Sequence, residues 1–235
     1  MRGRERVPTH KRPQVPKGRH VSTPLAHAES LLEDLGAGTI PHPGGTLLAH
    51  LRRVRSRLAG WNARPALQLA GLCHAFYGTD GFPTALLPLD RRGELAGIIG
   101  AEAESVVYFY ASCDREAAYP TLADEGSPFR DRFTGRSHAP DTRLRRDFAE
   151  LTAANELDLT DHDPAFCDRY GSDLLALFTR FRPLLSASAW NDCLTLDFTG
   201  RPRHIRISDT SSGCADGAGG SGDHDDDHDD HDHYH

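Results

Sequence analysis

The chain has 235 residues, 38% of them hydrophobic and 26% charged, with a formal net charge of -7 and a mean hydropathy of -0.53. That balance fits one sizeable core carrying polar extensions, and the longest apolar stretch, Ser105 to Cys113, is far short of the roughly 20 residues a bilayer-crossing helix needs. Five cysteines with no Cys-x-x-Cys pair argue against a disulfide framework or a zinc ribbon and point to reduced thiols.

The chain opens with a basic, Pro-interrupted segment, residues 1–22, that reads as a disordered leader. It has no apolar stretch of the kind a secretory signal carries, so the expected location is the cytoplasm. With no aromatic platform or recognised binding module, nucleic acid is not an expected partner. Scarce lysine (Lys11 and Lys17) beside abundant arginine, alanine, glycine and proline suggests a GC-rich bacterial genome. Thr23-Pro24 has the form of an N-cap followed by proline at the first helical position, and predicts a helix ending at Gly36. A Gly/Pro loop containing His42 follows. The next two helices are predicted over residues 46–59 and 64–77, separated by Gly60-Trp61-Asn62.

Glycines and a proline in Tyr77-Gly78-Thr79-Asp80-Gly81-Phe82-Pro83 predict a loop directly after His74. Helical patterning resumes over residues 88–99, breaks at Gly100 and continues over 101–113, closed by Asp114-Arg115. Residues 116–139 read as irregular, and a long irregular segment inside a compact domain is often functional. Strong helices are expected over 141–159 and 164–185, the latter broken near Gly171 and Pro183, before a weak element around 187–198 and a strand-like segment at 194–206. The fold class predicted is all-α: an orthogonal multi-helix bundle over residues 23–200, with disordered N- and C-terminal tails at 1–22 and 201–235.

Two histidines carry the chemistry. His50 lies in phase with Leu47, Val54 and Leu58, and His74 with Leu67, Ala70 and Tyr77, so each imidazole falls on the apolar stripe of its helix. Metal sites in helical bundles need ligands converging from different helices. Asn155 and Asp158 share a stripe with Phe148 and Leu151, and either can complete a set with His50, His74 and, at the pocket mouth, His42. Tyr77, Thr79, Asp80 and Arg130 are the candidate substrate-binding residues, Arg130 standing in the basic run Phe129-Arg-Asp-Arg-Phe-Thr-Gly-Arg.

His50, the Leu69-Ala70-Gly71-Leu72-Cys73-His74 helix, and Ile98-Ile99-Gly100-Ala101-Glu102-Ala103-Glu104 together resemble the HD-domain superfamily of metal-dependent phosphohydrolases, in particular the hydrolase module of RelA/SpoT-type alarmone enzymes. The resemblance spans residues 46 to 115. It implies an HD-like helical fold with His50 and His74 at the family's metal-binding positions. Three departures qualify it: Ala75 stands where the family has a metal-binding and catalytic aspartate, Gly78-Thr79 where alarmone hydrolases carry an acidic pair, and Asn155 where a later aspartate is usual. The pattern His-small-x-Tyr-Gly-Thr is closer still to a group of small HD-like bacterial proteins of unknown function.

Two functions are therefore expected alternatives. One is a hydrolase, or oxygenase, of a small polar or phosphorylated molecule, using a degenerate site for a divalent metal (Mn, Fe, Zn or Ni). The other is a non-catalytic small-molecule-binding protein retaining the HD pocket. The substrate and oligomeric state are not read from the sequence.

The chain ends in a different signal. Residues 223–235 hold seven aspartates, five histidines and no basic residue, which accounts for the whole net charge. Interchangeable donors without a hydrophobic frame predict weak binding of nickel, zinc or copper ions. Deleting residues 215–235 should remove most of that uptake while leaving helicity and thermal stability nearly unchanged; equal calorimetric stoichiometry in both forms would place the weak sites elsewhere.

Overall fold

A computed structural model describes residues 23–196. The predictions for the leader, for the strand-like segment beyond Leu196 and for the acidic tail lie outside the described residues. Within them the chain is mostly helical: α1 (Pro24–Asp34), α2 (Leu47–Gly60), α3 (Pro65–Cys73), α4 (Arg92–Ile99), α5 (Ala101–Ala111), α6 (Arg115–Ala118), α7 (Thr142–His162), α8 (Pro164–Phe181) and α9 (Ala187–Cys193). Two small antiparallel hairpins join them, β1 (Pro41–His42) with β2 (Gly45–Thr46), and β3 (Phe129–Arg130) with β4 (Ser137–His138). No helix among the described residues is long and apolar enough to cross a membrane.

Helix starts follow side-chain capping. Thr23, Thr46, Asp114, Asp141, Asp163 and Ser186 each accept a hydrogen bond from a backbone N–H in the first turn of the helix they precede, satisfying donors the helix itself leaves open. Three boundaries differ from expectation. The helix carrying His74 stops at Cys73, because the chain tightens into turns in which Phe76 N–H reaches Cys73 C=O and Gly78 N–H reaches Ala75 C=O; Gly78 then takes φ +67°. The segment 116–139 contains α6 and the β3–β4 hairpin. Helix α8 runs unbroken through Gly171.

α7 lies at the centre. It packs against α2, α5, α8 and α9, while α3 packs on α2 and α5. Phe148, Leu151, Ala153, Ala154 and Leu157 are all buried on it, and so are Asp147, Asn155, Glu156 and Asp158. A helix covered on every side loses the clean one-sided stripe of a surface helix, and its buried carboxylates need partners from elsewhere in the chain. Arg64 supplies one, pairing with Asp147. The core is completed by Leu51, Val54 and Leu58 of α2, Leu67 and Leu72 of α3, Phe76, Leu95, Val107, Phe109, Phe178 and Phe181. Cys73, Cys113, Cys167 and Cys193 are buried.

The α2–α3 contact matters most here because it sets the two histidines side by side. Gly71 permits it: a Cβ there would stand 2.4 Å from Leu58 Cδ1 and 3.6 Å from Val54 Cγ1. Gly71→Ala should therefore push the helices apart and cost about 1–3 kcal/mol, the usual range for overpacking a filled core. A urea midpoint unchanged from the parent would show that the contact has slack.

Candidate functional site

Three histidines from three elements meet. His42 comes from the β1–β2 hairpin and stacks on His50 with ring centroids 4.1 Å apart and planes at 29°. His50, on α2, meets His74 edge-on at 5.3 Å, and His74 meets Tyr110 of α5 at 5.5 Å. His42 also touches Phe82 at 5.7 Å. His50 and His74 are buried.

The hydrogen bonds fix the rings. His50 Nδ1 lies 2.6 Å from Asp158 Oδ2, and Arg53 donates to both oxygens of the same carboxylate, from Nε at 2.7 Å and from Nη2 at 2.8 Å. Arg53 also donates to the carbonyls of Pro43 and Gly44 at 3.0 and 3.2 Å, so one guanidinium ties the hairpin, α2 and α7 together. His74 Nδ1 donates to the Gly71 carbonyl at 2.8 Å, leaving its Nε2 as the acceptor. Asn155 Oδ1 faces His50 Nε2 at 3.1 Å while its Nδ2 donates to Glu156 Oε1 at 3.2 Å.

Electrostatics follow burial. Desolvation, and then the neighbouring His50, lower His42 to about 4 and His74 to about 3, so both are neutral imidazoles at pH 7. For Asp158, burial pushes the carboxyl upward, but the hydrogen bonds and charges of His50 and Arg53 outweigh it and bring the pKa down to about 2. His42 Nδ1 is buried without a hydrogen-bond partner among the described residues.

These histidines line a cavity of about 950 Å³. Its wall continues through Ala75, Thr79, Asp80, Gly81 and Phe82, crosses Tyr110, Arg115 and Tyr119, reaches Asn155 and Glu156 on α7, and ends on Phe166, Tyr170, Leu174 and Leu177 of α8. The size falls within the range of small-molecule sites. The 79–82 loop is held by its own hydrogen bonds: Thr79 N–H donates to Phe82 C=O at 2.7 Å, and Phe82 N–H donates to Thr79 Oγ1 at 3.0 Å.

His42, His50, His74, Asn155, Thr79 and Asp80 all lie in this wall. Asp158 stands behind His50, spent on it and on Arg53. Tyr77 is outside the wall: its hydroxyl donates to Glu104 at 3.0 Å, and Glu104 also accepts two hydrogen bonds from Arg92, at 2.6 and 3.0 Å. Arg92 lies over the Tyr108 ring at 3.6 Å, and the Tyr108 hydroxyl donates to Asp131 at 2.7 Å, so Tyr77 belongs to a packed polar network joining α5 to the β3–β4 hairpin. Arg130 is also outside; its side chain is 59% exposed and lies 3.6 Å from Asp114. The arginine two residues on, Arg132, is the one in the wall. Arg53 and Glu156 are not legible as site residues from the sequence. Arg53 stands three residues after His50 on one helix face, which is the signal that could have found it.

As a metal centre the donor set is short. Ala75 supplies no carboxylate, the oxygens of Asp158 are engaged by Arg53 and His50, and the group beside His50 in the wall is the Asn155 amide oxygen. Among the described residues no group of three or more His, Cys, Asp or Glu side chains is placed to hold a metal ion. The described residues therefore do not present the three or more such ligands that normally hold a resident divalent ion.

The model of a family described as Domain of unknown function (DUF6817) matches residues 31–115. That segment contains His42, His50, His74 and the 79–82 loop and ends at Arg115, while Asn155, Glu156 and Asp158 lie beyond it. Neither a curated protein nor a solved structure matches the chain.

Proposed function

We propose that this chain is a small-molecule-binding protein whose ligand occupies the cavity with a polar group against His42, His50 and His74. The observation that carries the reading is three packed histidines in the wall of a cavity large enough for a metabolite, one of them with a buried nitrogen that no described residue satisfies. Buried polar groups in folded proteins are nearly always partnered, so an orphan in a cavity wall marks a place for a ligand or ordered water. Two neutral imidazoles offer both donors and acceptors at pH 7, which suits hydroxyl, carbonyl and amide groups. The apolar wall of α8 suits the remainder of the molecule.

A second reading, hydrolysis by an HD-like enzyme at a degenerate metal site, draws on one specific observation. Both His50 and His74 hold Nδ1 against an acceptor, the arrangement that orients metal-bound histidines. The missing carboxylate at Ala75 sets the binding reading ahead of it.

A thermal-shift screen of small polar acids, amino acids, sugars and sugar phosphates tests the first reading. A ligand at a hundredfold excess over its Kd stabilises by about 2.7 kcal/mol. At least one class should raise Tm, lose affinity about tenfold or more in His74→Ala, and keep it in Arg130→Ala. No hit, or hits indifferent to His74, would refute the proposal.

A further inference from the structure

We propose that Arg115 and Tyr119 form an oxyanion subsite in the same cavity, holding a carboxylate or phosphate group of the bound molecule; the inference rests on the cavity being a ligand site. Three arginines line the cavity, and two are anchored to the backbone. Arg132 Nε donates to Ala111 C=O at 2.7 Å with its plane over Phe133 at 4.4 Å, and Arg180 Nη1 reaches Tyr119 C=O at 3.5 Å. Arg115 differs. Its side chain is only 21% exposed, and among the described residues its one carboxylate contact is Glu156, 3.6 Å from Nη1. That separation is well beyond a charge-assisted hydrogen bond of about 2.7–2.9 Å. Glu156 Oε1 is already engaged by Asn155 Nδ2.

The guanidinium packs beside Gly81 and Tyr119. A Cβ on Gly81 would stand 3.0 Å from Nη1, so the absence of a side chain there admits the arginine to the cavity wall, and the Tyr119 ring lies 5.8 Å from its Cζ on another side. The Tyr119 hydroxyl is buried with no hydrogen-bond partner among the described residues. Two other carboxylates of the wall engage backbone: Asp80 accepts from the Arg115 N–H at 3.1 Å, and Asp114 caps α6 through Ala117 N–H at 3.1 Å. The guanidinium fork, with its five N–H donors, thus stands mostly unspent beside an unpartnered hydroxyl. Both seek acceptor oxygens, and a planar or tetrahedral oxyanion supplies two or more at once.

The test titrates the full-length protein with inorganic phosphate and, separately, with acetate, following the Gly81 amide by two-dimensional NMR. Saturable shifts are expected with at least one ion, and the tighter of the two identifies the group as phosphate or carboxylate. Arg115→Gln should weaken binding about tenfold or more, the loss expected when a charged hydrogen-bond donor is removed. Should Arg115→Gln fail to fold, Tyr119→Phe decides, because it deletes only a partnerless hydroxyl; a drop of threefold or more supports the subsite. No saturable shift from either ion, or affinity within twofold of the parent in the deciding variant, overturns it. If cavity ligands from the screen bind Arg115→Gln and Tyr119→Phe as they bind the parent, the subsite fails while the cavity reading stands.

Discussion

Asp158→Asn should destabilise the fold by about 3–5 kcal/mol, the range found when one partner of a buried ion pair is removed. The aspartate side chain is 2% exposed and accepts from His50 Nδ1 at 2.6 Å and from Arg53 at 2.7 and 2.8 Å. The amide keeps the shape but loses the charge, and one of its two termini becomes a donor facing donors. Arg53 would then be left without its carboxylate at the point where it also grips the carbonyls of Pro43 and Gly44, so the hairpin carrying His42 should loosen together with α7. Because the folded pKa of about 2 lies below the ordinary value near 3.9, this contribution is fully present above pH 4 and disappears as pH falls through 2. Urea denaturation at pH 7 measures it; a cost under about 1 kcal/mol would mean that the triad does not hold the site together.

Acid should weaken the protein well before that carboxylate titrates. His42 and His74 are lowered to about 4 and about 3, whereas the unfolded chain protonates histidine near 6.5. Between pH 6.5 and 4 the unfolded state therefore binds more protons, and stability falls as pH falls. The contribution is complete above pH 6.5. At about 1.4 kcal/mol per pH unit for each group, discounted for the partial exposure of His42, the two together should cost about 3 kcal/mol between pH 7 and pH 5. The double variant His42→Gln, His74→Gln should show a much flatter profile over that interval. Denaturation midpoints at pH 7, 6 and 5 decide it, and parallel profiles for parent and variant would remove the neutral buried pair from the account.

Local rules made much of this fold legible. Thr23-Pro24 and Thr46 mark helix starts that the structure uses, and helical phase alone placed His50, Asn155 and Asp158 on inward faces. What was not legible depends on partners far apart in sequence. Asp158 and Arg53 are 105 residues apart, and Tyr77 and Glu104 are 27 apart; periodicity reports which face is inward but not which buried charge meets which. Helical phase makes Asp158 an inward carboxylate but does not show that its oxygens meet His50 and Arg53, and adjacency to His74 does not show that the Tyr77 hydroxyl turns to Glu104. Arg130 was singled out over Arg132 because nothing in a short basic run says which member the β3–β4 hairpin turns outward. His74 was placed within a helix that ends one residue earlier, since the tight turns from Cys73 to Gly78 depend on the packing of the following loop.

The central claim is that the three histidines form a ligand wall and not a metal centre. Metal analysis by mass spectrometry tests it most directly, using protein lacking residues 215–235 so that the acidic tail contributes nothing. The protein would be equilibrated with one equivalent each of manganese, iron(II), zinc and nickel, then desalted. The account predicts no stoichiometric metal, and no difference between the parent and His74→Ala; one equivalent retained by the parent and lost in His74→Ala would contradict it and restore the metal-dependent hydrolase.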